Sequence, residues 1–305
     1  MEEPLRYETL TGLSHGQLGE LAARITAVTG DVVRPGGAPA AIGLFKSVAM
    51  VVTLMRKNLT QEVAGAVFGC SQPTVSRRWD LLRPLIGEVL ADCVLTPAQV
   101  VGKGGTLLVD GTIAPAWDWA SVPDLYSGKA GYPGMNIQVA ATLSGDVAAI
   151  GPVPVHGARH DAHAYAASGL KDLITGHDTI ADLGYTGVEG ITTVPYRTPP
   201  GGTLHHTQVA FNTGLSAIRA AIERANAHLK TWRMLSEEGG RYRPPIAKYG
   251  EMLKAVTGLF FFSNYFQAHE LASWCICRSG HCSPLTVGRD SCRVSPRSPL
   301  PQGER

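Results

Sequence analysis

Five side chains, scattered along a chain of 305 residues, could together do phosphate chemistry: Asp110, Asp182, Glu223, Arg219 and Lys230. Asp110 closes the apolar run Thr106-Leu107-Leu108-Val109 and is followed by Gly111-Thr112, so it reads as a carboxylate at the end of a buried strand. A buried charge without a partner costs on the order of several kcal/mol. A divalent cation would offset that cost. Asp182 repeats the pattern, with Thr179-Ile180-Ala181 before it and Leu183-Gly184-Tyr185 after it. If the two strands are neighbours in one sheet, both acids reach the same ion. Taken singly, each segment also describes an ordinary turn aspartate.

The third acid lies in a helical stretch from about Thr213 to Trp232. With about 3.6 residues per turn, Arg219, Glu223 and Lys230 fall on one face. Ile218, Ile222, Ala225 and Leu229 form an adjacent apolar stripe, expected to dock on a sheet. A carboxylate with a cation on either side would offer a metal ligand between two phosphate-holding groups. The same spacing also suits a surface helix with an Arg219–Glu223 ion pair of about 0.3–0.5 kcal/mol. Lys129, in a Gly-rich loop, can hold phosphate in the same way. His156, His160, Asp161 and His163 raise a transition-metal reading, set against one in which His160 and Asp161 cap the next helix and support the acids from behind.

The elements that must position these groups follow from periodicity. Strands are expected at 106–112, 135–142, 147–155 and 179–182, with a hairpin turn at Leu143-Ser144-Gly145-Asp146. Helices are expected at 161–173 and 213–232, and an apolar one at 252–266 lays Phe260, Phe261 and Phe262 over the sheet. Upstream, Ser14 caps a helix to Thr29 with Leu18, Leu21 and Ile25 on one side, 31–39 is a loop, and a second helix spans 40–57. Thr60, Gly69 and Ser71 then punctuate two short helices as a helix-turn-helix at about 58–86. Its second helix would present Ser71, Gln72, Thr74 and Ser76 to base edges, and Arg77 and Arg78 to phosphates. The alternative is a plain helical hairpin that packs Val75, Trp79, Leu82 and Leu85, with Arg78 and Arg83 on a solvated face. A connector at 91–104 separates a helical region, 1–95, from a sheet-bearing one, 104–272.

The ordered set Asp110, Asp182, Glu223 resembles the catalytic triad of DDE transposases, whose catalytic domain has a ribonuclease-H-like fold. The helix around Glu223 is similar to the Tyr-x2-Arg-x3-Glu-x6-Lys signature of the insertion-sequence-five group. Arg219, Glu223 and Lys230 match it, and Ser216 stands at the tyrosine position. Gly157-Ala158-Arg159-His160-Asp161 resembles the family's His-Asp motif, and Ala181-Asp182-Leu183-Gly184-Tyr185 its Asp-x-Gly-Tyr segment. The resemblance implies an α/β chain: a ribonuclease-H-like mixed sheet flanked by helices, preceded by a small all-α helix-turn-helix domain. It further implies Mg²⁺, with Mn²⁺ as a substitute, held by the three acids, and hydrolysis and strand transfer on double-stranded DNA. The partners it implies are terminal inverted repeats, target DNA and at least a second copy of the chain. A DNA-binding relative without cleavage, or an endonuclease that does not join strands, would carry the same motifs.

Composition fits this and excludes other classes. Hydrophobic residues at 44% and charged residues at 17% describe a globular chain rather than a disordered one. A net charge of +2 leaves any DNA contact to local clusters. No apolar run reaches the roughly 18 residues of a membrane span. Met1-Glu2-Glu3-Pro4 is unlike a secretory signal, so a cytoplasmic, nucleoid-associated protein is expected. The segment 273–305 mixes Arg, Ser, Pro and Cys without periodicity and is expected to be disordered. The spacing of Cys275, Cys277, His281 and Cys282 is cramped for a zinc site.

Overall fold

A computed structural model describes residues 6–30, 42–117 and 121–276, with side chains to 265. The expectations for the loop at 31–39 and for the tail with its cysteines and His281 lie outside them, apart from the backbone of 273–276. Six helices come first: α1 (Tyr7–Thr11), α2 (His15–Thr29), α3 (Leu44–Lys57), α4 (Gln61–Phe68), α5 (Gln72–Val89) and α6 (Pro97–Val101). Ser14 caps α2 through a reciprocal pair of hydrogen bonds with Gln17. Every residue of α3 from Ser47 to Met55 is buried, which makes it the central rod of this region. Thr60 caps α4, and Gly69 ends it in a left-handed conformation. Ser71 precedes α5, but its hydroxyl bonds the Thr74 hydroxyl at 3.1 Å instead of a backbone N–H, contrary to the capping role expected of it. The short α6, inside the expected connector, opens with a Thr96–Gln99 capping box.

The sheet follows, built from β1 (Leu107–Pro115), β2 (Tyr126–Ser127), β3 (Tyr132–Ala141), β4 (Val147–Ile150), β5 (Val155–His156) and, after helices α7 (Asp161–Ala167) and α8 (Leu170–Leu173), β6 (Thr179–Ile180). Its order is β2-β3-β1-β6, with β4 and β5 also paired to β3. The β1–β3 and β3–β4 pairs are antiparallel and β1–β6 is parallel. The expected strand 147–155 is two strands, since Gly151-Pro152-Val153-Pro154 interrupts the ladder. The expected helix 161–173 is likewise two, parted at Ser168-Gly169, where Gly169 has φ +76°. Two long helices complete the fold, α9 (His206–Leu229), which starts seven residues earlier than expected, and α10 (Tyr249–Ile276).

Alternation along the strands sorts side chains onto two faces. Leu108, Ile137, Val139 and Ala141 join a core with α9, α10 and the N-terminal helices. Leu107, Val109 and Ala140 join a smaller one with Tyr165, Leu170 and Tyr185. The first core runs without a break from Leu13 to Phe262, so helical region and sheet share one interior. The backbones of α5 and α10 approach closely where glycines leave room: a Cβ on Gly87 would lie 3.0 Å from the Ala255 nitrogen, and one on Gly258 would lie 2.8 Å from the Leu90 Cβ. Arg83, read as a solvated cation, is in fact buried against this joint. It pairs with Glu251 at 2.6 Å and with Asp80 at 3.3 Å.

Candidate active site

The register Leu108↔Ile180 between β1 and β6 places Asp110 and Asp182 level with each other, two residues beyond the last parallel pair. Asp110 is 9% exposed. Asp182 opens a 3₁₀ turn (Leu183–Tyr185), and its Oδ1 accepts the Gly184 N–H at 2.8 Å. Asp110 points to the face covered by α9, whose Ile222, Ala225 and Leu229 are buried against the sheet. Ile218, assigned to the same docking stripe, is 42% exposed instead.

Docking of α9 brings Arg219 between the two aspartates. Its Nη2 lies 3.9 Å from Asp110 Oδ1 and 4.0 Å from Asp182 Oδ2. Asn226, two turns along the helix, donates from Nδ2 to Asp110 Oδ2 at 3.1 Å. Glu223 and Lys230 line the same cleft, which encloses about 750 Å³ and is also walled by Lys129, His160 and Asp161. The Arg219–Glu223 pair of the alternative surface-helix reading is not made; Arg219 turns to the aspartates instead.

Burial pushes the Asp110 carboxyl up to about 6. Arg219 pulls it back in part, while Glu223, Asp182 and Asp161 push it further up. The guanidinium thus does, imperfectly, what a cation among these acids would do. Two buried polar atoms beside it, Arg219 Nε and Asn226 Oδ1, have no partner. Among the described residues no three His, Cys, Asp or Glu side chains are already gathered at metal-holding geometry. The donor set nevertheless fits a hard divalent ion: all-oxygen, anionic, partly shielded from water and mutually repulsive without one.

The remaining expected residues fall as follows. His160 caps α7, accepting the His163 N–H at 3.3 Å, and His156, His160, Asp161 and His163 do not make a metal-holding group among the described residues. Asp161 does not cap; it turns into the cleft, where Asn136 Nδ2 reaches it at 2.9 Å and Lys129 Nζ at 3.2 Å. Burial alone would lower the Lys129 pKa, but Asp161 holds it above the ordinary value. On α5, Ser71 and Arg77 are exposed, and Thr74 accepts from Arg77 at 3.2 Å. Gln72 bonds Gln61, and with Ser76 it walls a separate cavity of about 360 Å³ beside Arg243 and Lys248. Arg78 is half-buried. Of the four residues that the hairpin reading packs, Val75, Trp79 and Leu82 are buried and Leu85 is half-buried.

Several site residues were not singled out from sequence. Asn226 sits three residues after Glu223 and four before Lys230, on the same helical stripe, so its spacing was a usable signal. Asn136 and Gln138 break an otherwise apolar strand at a period of two, which marks an inward polar face.

Asp110 does not end its strand as expected, because β1 stays paired with β3 as far as Pro115. Acids from the middle of β1, the turn after β6 and a facing helix, interleaved with cations on a mixed sheet, make a site suited to metal-assisted phosphodiester chemistry. The curled sheet flanked by helices is compatible with a ribonuclease-H-like fold. Residues 109–260 match the family described as DDE superfamily endonuclease, and the match spans Asp110, Asp182 and Glu223. A protein named as a transposase for insertion sequence element IS112 of Streptomyces albus G is 29% identical over 77% of this chain and 87% of its own length. One named as a transposase for insertion sequence element IS702 of Microchaete diplosiphon is 23% identical over 86% of this chain and 96% of its own length. These similarities support a DDE transposase, an enzyme whose substrate is DNA and whose nuclease chemistry depends on divalent metal. Among the described residues no single helix is long and apolar enough to cross a membrane.

Proposed function

We propose that Asp110, Asp182 and Glu223 hold Mg²⁺, with Mn²⁺ as a substitute, for hydrolysis at the ends of an insertion sequence and transfer of the freed 3′ ends into target DNA. The observation that carries this is the placement of Arg219 within 4.0 Å of both aspartates, a single positive charge at the centre of an all-carboxylate cleft. Bound ions would supply activation of the attacking hydroxyl and stabilisation of the departing oxygen. The protein's own groups do the rest. Gly184 fixes Asp182 through its N–H, and Asn226 holds one oxygen of Asp110. Arg219, released from the acids, joins Lys230 and Lys129 in gripping phosphate oxygens. His160, as the cap of α7, supports the wall that carries Asp161.

In this reading the helical region, 1–95, binds the terminal repeats through α4 and α5, with Ser71, Gln72, Thr74 and Ser76 facing bases and Arg77 and Arg78 facing phosphates. Residues 104–272 cut and join. Two element ends must be handled together, so the working unit on DNA is a dimer or larger, in the cytoplasm at the nucleoid. The motif spacing around Glu223 supports a place in the insertion-sequence-five-like group. The test is a supercoiled plasmid carrying the inverted repeats that flank the reading frame, incubated with the protein and Mg²⁺. Nicked and joined products are expected. Nicking without joining would indicate a simple endonuclease, and binding without nicking a DNA-binding relative; either refutes the proposal.

A further inference from the structure

On the face of the sheet opposite α9, four polar contacts run in series. Tyr185 OH donates to Gln138 Oε1 at 2.8 Å, Gln138 Nε2 to Asn136 Oδ1 at 2.8 Å, and Asn136 Nδ2 to Asp161 Oδ1 at 2.9 Å. Lys129 Nζ closes the series on Asp161 Oδ2 at 3.2 Å. Each donor points toward Asp161, so each bond polarises the next in one direction and the series ends on a negative charge. Tyr185, Gln138 and Asn136 are buried. Gly111, paired with Gln138 across the β1–β3 ladder, makes the space: a Cβ there would collide with Asp161 Oδ1 and Gln138 Nε2.

The two ends of this series matter more than its middle. Tyr185 is the last residue of the 3₁₀ turn that Asp182 opens, the turn whose Gly184 N–H fixes the Asp182 carboxylate. At the other end Lys129 stands largely exposed on the turn between β2 and β3, at the cleft wall. Asp161 has one oxygen engaged by Asn136 and the other by Lys129, which makes it an anchor for the lysine.

We propose that Tyr185, Gln138 and Asn136 are positioning residues that set Lys129, through Asp161, against a DNA phosphate in the cleft and tie its place to the turn bearing Asp182. This rests on the active-site reading given above. Cutting the series leaves Lys129 present but free to swing, so the loss falls on turnover rather than on DNA affinity.

The experiment measures Mg²⁺-dependent nicking of plasmid carrying the element ends by the full chain, together with Kd for the end DNA. Gln138→Leu is expected to slow nicking about tenfold, as loss of a supporting hydrogen bond does at metal sites, while Kd moves by less than about twofold. Lys129→Ala should lose at least as much, and Lys129→Ala/Gln138→Leu should be no slower than Lys129→Ala alone, because both changes remove the same positioned ammonium. Tyr185→Phe removes one hydroxyl and should cost about threefold. Should Gln138→Leu not fold, the same cycle is run with Tyr185→Phe and Lys129→Ala. Losses that multiply in the double variant, or a Tyr185→Phe protein that nicks at the parental rate, would overturn the proposal. Asp110→Asn is the control. Nicking by it at a tenth of the parental rate or more breaks the active-site reading itself, whereas a control below that level with multiplying losses breaks the relay alone.

Discussion

The two faces of the central sheet are made from alternate residues of the same strands, yet they treat polar groups in opposite ways. Under α9, Asp110 is crowded by three other acids, and two buried polar atoms, Arg219 Nε and Asn226 Oδ1, have no partner. On the α7 side, Gln138 and Asn136 bond one another and their neighbours in sequence. The first face is left electrostatically incomplete and the second is closed. Incompleteness under α9 is what a ligand site needs, since groups already satisfied have nothing to offer a metal or a phosphate. The closed face supplies the rigidity that such an unsettled site lacks.

The largest effect expected from breaking this contrast is chemical. Asp110→Asn keeps the shape of the side chain but removes a ligand charge. Nicking in Mg²⁺ should fall by about three orders of magnitude or more, with end-DNA affinity by gel shift within about twofold. A variant that cuts at a tenth of the parental rate would contradict the role given to Asp110.

Next comes stability. The Asp110 carboxyl titrates at 3.8 when unfolded but near 6 when folded. Between those values the native state holds the proton that the unfolded state has lost, so stability falls as pH rises through this window and stays lowered above it. In metal-free protein Asp110→Asn should therefore raise stability by up to about 3 kcal/mol at pH 7.5 and by almost nothing at pH 4. Urea melts in chelator at the two pH values measure this. Adding Mg²⁺ at pH 7.5 should stabilise the parent more than the variant. Equal stability at both pH values would remove the electrostatic difference between the faces.

On the closed face the effect is steric. Gly111→Ala drives a methyl into Asp161 and Gln138 and should cost about 1–3 kcal/mol in a urea melt at any pH. A pH-dependent loss would mean that the two faces are not separable. The smallest effect is expected at Ile218. It sits in the apolar stripe of α9 but is exposed, so Ile218→Ala should change stability by less than about 0.5 kcal/mol. Ile222→Ala, one turn on and fully buried, should cost about 2–5 kcal/mol.

That last pair also marks how far the sequence could be read. Periodicity located the strand ahead of Asp110, the strand ahead of Asp182 and the stripe of α9, because apolar spacing reports burial directly. It could not say which positions of the stripe find a partner in the fold, so Ile218 looked no different from Ile222. Carboxylates after short apolar runs were legible as candidates, but not that β1 continues past Asp110 to Pro115, which its pairing with β3 decides; the β1–β6 register, another long-range property, sets the two acids side by side. The one-turn spacing of Arg219 and Glu223 left a local ion pair open as an alternative, but Arg219 faces the aspartates because two tertiary carboxylates outcompete one local one. Arg83 looked solvated for a related reason: its partner Glu251 is 168 residues away. The breaks at Pro152 and Gly169 were visible as residues, but their consequence depended on the ladder they interrupt. Asp161 was read as a cap by position, whereas His160 fills that role and frees the acid for Asn136 and Lys129.

The glycine-lined crossing of α5 and α10 has a mechanical consequence. With Gly87 against Ala255 and Gly258 against Leu90, the crossing leaves no slack layer of side chains to hinge on, and Arg83 bolts it further to Glu251. If α5 grips the element end, its distance from the cutting acids is set like the jaws of a caliper, and the scissile bond should fall at a constant number of nucleotides from the gripped sequence.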